Sequence, residues 1–202
     1  MMPRTLLAVA TLAALSLFAT GCEKLKARDN LNKGVQAYKN AQYPEAVERF
    51  EQAVQLDPGF ATARLYLAMA YYNQYIPDGS SENHQNADRA YSEFKKVLQQ
   101  DPKSDIATQS IASLYFNQRK LDDAEFWYKK SLELDPTSKE SYYTLGVIAW
   151  TKWFKPWAEA RAKLGMKLED PGPIKDKKVR EELSTQYSAV VGEGLRNLQK
   201  AL

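Results

Sequence analysis

The chain has very little of the chemistry that usually announces an enzyme or a metal protein. Its 202 residues hold one cysteine, Cys22, and one histidine, His84. A lone thiol excludes an intrachain disulfide and a cysteine-based metal cluster, and a lone imidazole excludes the usual His-paired metal sites. An excess of one charge is missing too. Against 28 Lys and Arg stand 25 Asp and Glu, a formal balance of +3, so no strong field selects nucleic acid or an acidic polymer. No Gly-rich turn precedes a Lys-Ser or Lys-Thr pair, which excludes a phosphate-cradling loop. There is no Gly-x-Ser-x-Gly elbow to expose a nucleophilic serine. Long apolar runs are absent as well: the apolar core of residues 6–19 is shorter than the roughly 20 residues of a membrane-spanning helix. What remains is 44% hydrophobic, 26% charged and 11% aromatic, the composition of one or two compact globular domains.

The first 22 residues point to export. Arg4 is the only charge before a charge-free stretch over residues 5–21, which closes on small residues where a peptidase must fit the chain. The sole cysteine follows at once, and Leu17-Phe18-Ala19-Thr20-Gly21-Cys22 resembles the lipobox of bacterial lipoproteins. That resemblance implies cleavage of residues 1–21 as a signal peptide and acylation of Cys22 at the new N-terminus, with residues 22–26 as a tether. Ala19 stands where Leu is usual. The alternative is an uncleaved anchor with an incidental Cys. Each buried acyl methylene contributes about 0.8 kcal/mol, so several chains together hold a domain at a membrane surface without a spanning helix. Glu23 occupies the place where Asp retains some lipoproteins at the inner membrane, so the resemblance favours the outer membrane of a bacterial envelope over the inner one.

Beyond the tether the sequence repeats. Asp57-Pro58, Asp101-Pro102 and Asp135-Pro136 end similar stretches, the last two prolines 34 residues apart. Twelve, eight and five residues before each Pro stand Ala46, Phe50 and Ala53; then Ala90, Phe94 and Val97; then Ala124, Tyr128 and Ser131. Ten residues after each Pro stand Ala68, Ala112 and Gly146, and Gly34 holds the same place before Pro58. Small residues let helices approach, and an aromatic residue one turn away fills the space they frame. Pro cannot continue the preceding helix and suits the first turn of the next, so Asp-Pro marks a handover between units. A fixed period of this size with two helices in each unit resembles the tetratricopeptide repeat. The resemblance implies an all-α, right-handed solenoid of antiparallel helix pairs.

Units are expected at residues 27–60, 61–104 and 105–138. The second is ten residues too long, with an insertion near 76–88 that holds Pro77-Asp78-Gly79-Ser80, a possible backward extension of the second helix, and an exposed, solvated His84. A divergent fourth unit is expected at 139–173. There Pro156 breaks the rhythm, Ala158 takes the small-residue place of a second helix, and Asp170-Pro171-Gly172-Pro173 ends the unit. Residues 174–202 read as a helical cap or an incomplete fifth unit, with Leu195, Leu198, Ala201 and Leu202 on one face.

The resemblance also implies a concave groove lined by the first helix of each unit. Its positions fall on Leu31, Val35, Tyr38 and Lys39; on Leu65, Met69, Tyr72 and Asn73; on Gln109, Ser113, Phe116 and Asn117; and on Tyr143, Val147, Trp150 and Thr151. Aromatic rings give contact area at low entropy cost, and Asn side chains can pair with both groups of a bound backbone. Leu31 and Val35 replace the Lys and Asn of the carboxylate clamp in chaperone-binding members, so a free C-terminal carboxylate is not the expected ligand.

A second candidate surface lies at Trp150, Trp153, Phe154 and Trp157, spaced i, i+3, i+4, i+7. It serves either as packing for the final helices or as a further partner or membrane contact. Residues 152–202 carry 11 basic and 7 acidic side chains. Neighbouring carboxylates such as Asp122-Asp123 and Glu181-Glu182 point in different directions on a helix, which argues against an acid and base pair. The expectation is a non-catalytic adaptor without cofactor, metal or nucleic acid. It would bind protein or peptide partners of an envelope complex while its acyl anchor holds the membrane. The alternative is an architectural subunit of an envelope, secretion or pilus complex, binding through its flanks and aromatic C-terminal surface.

Overall fold

The structure, a computed structural model, describes residues 4–77, 79 and 81–202, with side chains described from residue 21 onward except at 81 and 82. Among the described residues it contains eight helices and no strand: α1 (Arg4–Lys39), α2 (Tyr43–Leu56), α3 (Ala61–Gln74), α4 (Ser81–Gln100), α5 (Asp105–Asn117), α6 (Leu121–Leu134), α7 (Lys139–Lys163) and α8 (Lys177–Ala201). They form two compact units, Met1–Ala107 and Thr108–Leu202. The apolar segment 6–19, the expected signal sequence, lies outside the residues whose side chains are described. Asp78 and Ser80 of the expected turn lie outside the described residues altogether.

In the first unit the small and aromatic residues counted from the prolines form the core. Ala46, Phe50, Ala53, Ala68, Ala90 and Phe94 have no solvent exposure. Gly34 on α1 makes room for Phe50 on α2, because a Cβ at Gly34 would stand 2.5 Å from Phe50 Cε1. No real Cβ tolerates that approach, so the absent side chain lets the ring seat against the α1 backbone. Between α3 and α4, buried Arg64 donates to Glu93 at 2.7 Å and to the Pro58 carbonyl at 3.0 Å. α4 begins at Ser81, so the second pair is lengthened by helix at its N-terminal end. There Asn83 accepts from Ile76 N at 2.9 Å and donates to the Ile76 carbonyl.

The second unit repeats the pattern with a polar variation. Tyr128 takes the place of the phenylalanines and is buried, so its hydroxyl needs a partner. Ser113 supplies it at 2.8 Å. Burial raises the Tyr128 phenol above its ordinary pKa, against the hydrogen bonds of Ser113 and Thr144. The Asp-Pro junctions work through both residues: α2, α4 and α6 stop just before them. Asp101 and Asp135 accept from the backbone N–H two residues on, at 3.1 and 2.9 Å. This is the Asx turn that an Asp side chain forms readily.

The C-terminal region departs from the expected plan. α7 continues through Pro156 for 25 residues, so the expected break there is absent. Ala158 lies inside α7 rather than in a second helix. The helix paired with α7 is α8. A Cβ at Gly146 would meet Leu198 Cγ at 2.5 Å, and one at Gly194 would meet Ala149 Cβ at 2.7 Å. Two glycines facing each other let the backbones approach, and this contact makes α8 the partner of α7 rather than a separate cap. The buried face of α8 accordingly runs through Gly194 and Asn197, while Leu195 and Leu202 are exposed.

Candidate functional site

The groove positions of the first unit lie on α1 and α3. Leu31, Val35, Leu65, Met69 and Tyr72 are half-buried, and Lys39 and Asn73 are exposed. Asn73 and Tyr38, 35 residues apart, are brought together. Asn73 Nδ2 donates to Tyr38 Oη at 2.6 Å and to the Met69 carbonyl at 2.8 Å. The Tyr38 ring meets Tyr43 and Tyr66 edge-on, with centroids 5.5 and 6.1 Å away, and Tyr66 stacks on Phe50 at 5.5 Å. Desolvation and the neighbouring Tyr43 raise the Tyr38 phenol above its ordinary pKa, so it stays neutral. The amide of Asn73 thus has both donors occupied and presents its oxygen as an acceptor.

In the second unit the positions divide into occupied and accessible. Ser113 is held by Tyr128, Gln109 donates to Ser138 Oγ at 3.4 Å, and Thr151 donates to the Val147 carbonyl of its own helix at 2.8 Å. Phe116, Asn117 and Val147 are half-buried. Tyr143 and Trp150, two turns apart on α7, are 59% and 57% exposed. Exposed rings this large leave apolar area facing solvent.

Beyond them on α7 the rings form a ladder. Trp150 packs on Trp153 and Phe154 at 5.0 and 5.8 Å, and Trp157 packs on Trp153 and Phe154 at 5.6 Å each. Arg161 caps it, its guanidinium 4.8 Å from the Trp157 ring centre. Though only 1% exposed, Arg161 faces carbonyls instead of a carboxylate, donating to Lys167, Asp170 and Gly172 at 2.7–3.2 Å. It ties the connector between α7 and α8 to the end of α7. Met166 and Ile174 of that connector are buried.

Trp153 and Trp157 turn toward α8, where Leu183, Tyr187, Val191 and Leu195 complete a cleft of about 480 Å³. Sequence reading named the tryptophans and Leu195 but missed the other α8 residues and Arg161. The signal was there: Leu183, Tyr187, Val191 and Leu195 recur at steps of four, a stripe along one helix face. Arg161 carries no such pattern, because its acceptors are backbone atoms of any sequence.

Cys22 is an exposed free thiol on α1. Among the described residues, no helix is long and apolar enough to cross a membrane.

Comparison with known proteins adds the family. Residues 34–74 match a model described as TPR repeat, and residues 84–146 match one described as tetratricopeptide repeat. Among solved structures the chain is similar to the first TPR of Spaghetti (RPAP3) bound to an HSP90 peptide, at 22% identity and a TM-score of 0.54, over 63% of this chain and 94% of that one. It is similar to a putative protein binding protein from Bacteroides ovatus at 20% identity and a TM-score of 0.54, over 87% of each chain. It also resembles MamA at 17% identity and a TM-score of 0.53, over 88% of this chain and 90% of that one. A search of curated proteins gives no match. At these identities the structural likeness speaks to fold alone, and together with the two repeat matches it establishes that this all-helical chain contains tetratricopeptide repeats.

Proposed function

We propose that this chain is a non-catalytic adaptor that captures segments of partner proteins on the first-helix faces of its repeats. The observation that carries the reading is the exposure of Tyr143 and Trp150 on one face of α7. Rings of this size on a rigid helix are the residues that dominate binding energy in protein interfaces. In the first unit the Asn73 oxygen, held beside Tyr38, adds an acceptor for a backbone N–H. Solved TPR domains of similar fold include one bound to the HSP90 peptide SRMEEVD, which supports peptide capture as the kind of work such a surface does. Leu31 and Val35 stand in place of the clamp Lys and Asn, so an internal segment is the ligand here rather than a C-terminal carboxylate.

Attachment belongs to the same proposal. The lipobox-like junction at Cys22 makes this an exported, acyl-anchored protein of a bacterial envelope, at the outer membrane, supporting assembly of an envelope complex. A thiol exposed on α1 is compatible with modification.

Crosslinked co-purification from native membranes tests the adaptor role, comparing the full chain with a Tyr143→Ala, Trp150→Ala variant and an Asn73→Ala variant. Both sites are exposed, so the variants keep the helical signature. Partners lost from the variants support capture on these faces. Retention of every partner by folded variants refutes it, and binding of SRMEEVD as tight as that of an internal peptide refutes the ligand class. For the anchor, Cys22→Ser abolishes acyl labelling and membrane retention; attachment that persists refutes it. The second reading, an architectural subunit binding through its C-terminal surface, draws on the Trp153, Phe154 and Trp157 ladder. Under it Trp157→Ala disrupts assembly while the Tyr143 and Trp150 changes are silent.

A further inference from the structure

The cleft between α7 and α8 is a second site, independent of peptide capture on the repeat faces. The two helices touch at Gly146 and Gly194, with Leu198 seated against Gly146 and Ala149 against Gly194. Farther along, between Trp153 and Trp157 on one side and Leu183, Tyr187 and Val191 on the other, a gap of about 480 Å³ remains. That volume falls within the roughly 300–1,000 Å³ of small-molecule pockets, which are mostly apolar with a few placed polar groups. Water gains little there, having few partners along the walls.

The polar groups decide which molecule fits. Among the described residues, Arg180 is the only charged side chain lining the cleft, and no carboxylate lines it. One bond, from Nη1 to the Ile174 carbonyl at 2.7 Å, holds the guanidinium beside the point where the connector enters α8. A guanidinium has five N–H donors in a fork that suits a carboxylate or phosphate. Ser184 and Ser188 lie in the same lining, the Ser188 hydroxyl donating to the Thr185 carbonyl at 3.3 Å. A ligand matching this arrangement is apolar along most of its length and negative at one end. A peptide segment matches less well, because its backbone groups would face aromatic and aliphatic walls without partners.

We propose that this cleft binds a single-chain anionic amphiphile of the fatty-acid class. The alkyl chain lies between Trp153 and Trp157 and the α8 stripe, and the carboxylate rests on Arg180. The site adds a lipid-derived ligand to a protein otherwise read as a protein binder.

Dodecanoate below its micelle concentration is the probe, titrated into the full chain in detergent-free buffer. Calorimetry gives stoichiometry, and the emission of the cleft tryptophans reports entry. The neutral dodecanol, an Arg180→Gln variant and a cleft-filling Ser188→Phe variant complete the comparison. Saturable one-to-one binding of dodecanoate with a blue shift is expected. Arg180→Gln weakens it about tenfold, the loss of one charge-assisted contact, and leaves dodecanol unchanged. Ser188→Phe removes binding of both. Absence of saturable binding, or equal affinity for dodecanoate in the wild type and Arg180→Gln, overturns the proposal. If Ser188→Phe fails to fold, the exposed Arg180→Gln substitution decides alone. Sedimentation showing a second copy of the chain seated on this face, with dodecanoate excluded, also overturns it.

Discussion

The α1–α2 and α7–α8 pairs solve one problem in two ways. In both, a glycine on the first helix admits the second helix. At Gly34 the space is filled by Phe50, a ring with no solvent exposure, and the pair closes. At Gly146 the visitors are Leu198 and the backbone at Gly194, so the helices meet nearly bare. The rings of the second pair sit two to three turns farther along α7, at Trp153 and Trp157. They frame a cleft there instead of filling a core. A recurrent small residue therefore specifies a close helix crossing, and the position of the aromatic residue relative to it decides whether the pair is sealed or open.

Four substitutions break or sharpen this contrast, read as unfolding free energy. Phe50→Ala empties the sealed crossing and costs about 4 kcal/mol, the usual loss for a buried ring. No single truncation of Trp150, already 57% exposed, approaches that loss in the open pair. Arg161→Met removes the donors that hold the α7–α8 connector and costs about 2 kcal/mol; protease cleavage within residues 165–176 becomes faster. Lys152→Met costs about 1 kcal/mol, because Lys152 bridges Asp122 and Glu125 at 2.5 and 2.6 Å. This third change carries a pH signature. Desolvation pushes the Glu125 pKa up, but hydrogen bonds from Lys129 and Lys152 outweigh it and leave the group below its ordinary value. Its contribution is therefore complete above about pH 4.3, the unfolded value, and is lost as pH falls through the lower folded one. The wild type loses more stability than Lys152→Met between pH 5 and pH 3 on a thermal melt, as an order-of-magnitude pH window.

The smallest effect is expected at the turn after α1. Ala41 has φ of 58°, and Arg119 repeats it after α5. Each sits at the left-handed position of a helix C-cap, with Gln42 N bonded to the Ala37 carbonyl and Lys120 N to that of Tyr115. Gly165 fills the same role after α7 at φ 68°. Ala41→Gly relieves that backbone strain and stabilises by about 0.5 kcal/mol, after the entropy lost by a more flexible unfolded chain. A loss of stability instead would mean that the Ala41 methyl contributes packing.

Much of this fold can be read along the chain because its cues are local. The Asp-Pro handovers work through the conformational limits of Pro and the Asx turn, and the small and aromatic positions recur at a fixed count. The C-terminal region resists the same reading. Pro156 removes one intrahelical donor, at a cost of roughly 3 kcal/mol in a helix interior. The contacts of α7 with α8, such as Gly146 with Leu198 and Ala149 with Gly194, offset that cost, and they are not local. Accessibility within the candidate site was equally hidden. Ser113 and Thr151 carry the spacing of groove residues, yet their hydroxyls are occupied within the protein. Asn73 was expected to offer donors and an acceptor, but Tyr38 and Met69 take both donors.

The sequence by itself determined where the helices before the Asp-Pro junctions stop and which residues repeat, since propensity, turn chemistry and periodicity act over a few residues. It also determined what the chain lacks for thiol, imidazole or phosphate-loop chemistry. Only the tertiary structure decided that α8 pairs with α7, that Arg161 organises the connector through carbonyls, and that four side chains of α8 face two tryptophans across a cleft. Those outcomes depend on contacts between residues 6 to 11 positions apart at Arg161 and 45 to 52 positions apart where α7 and α8 cross. Packing selects such contacts by shape and by the satisfaction of buried polar groups, and neither is written in any local pattern.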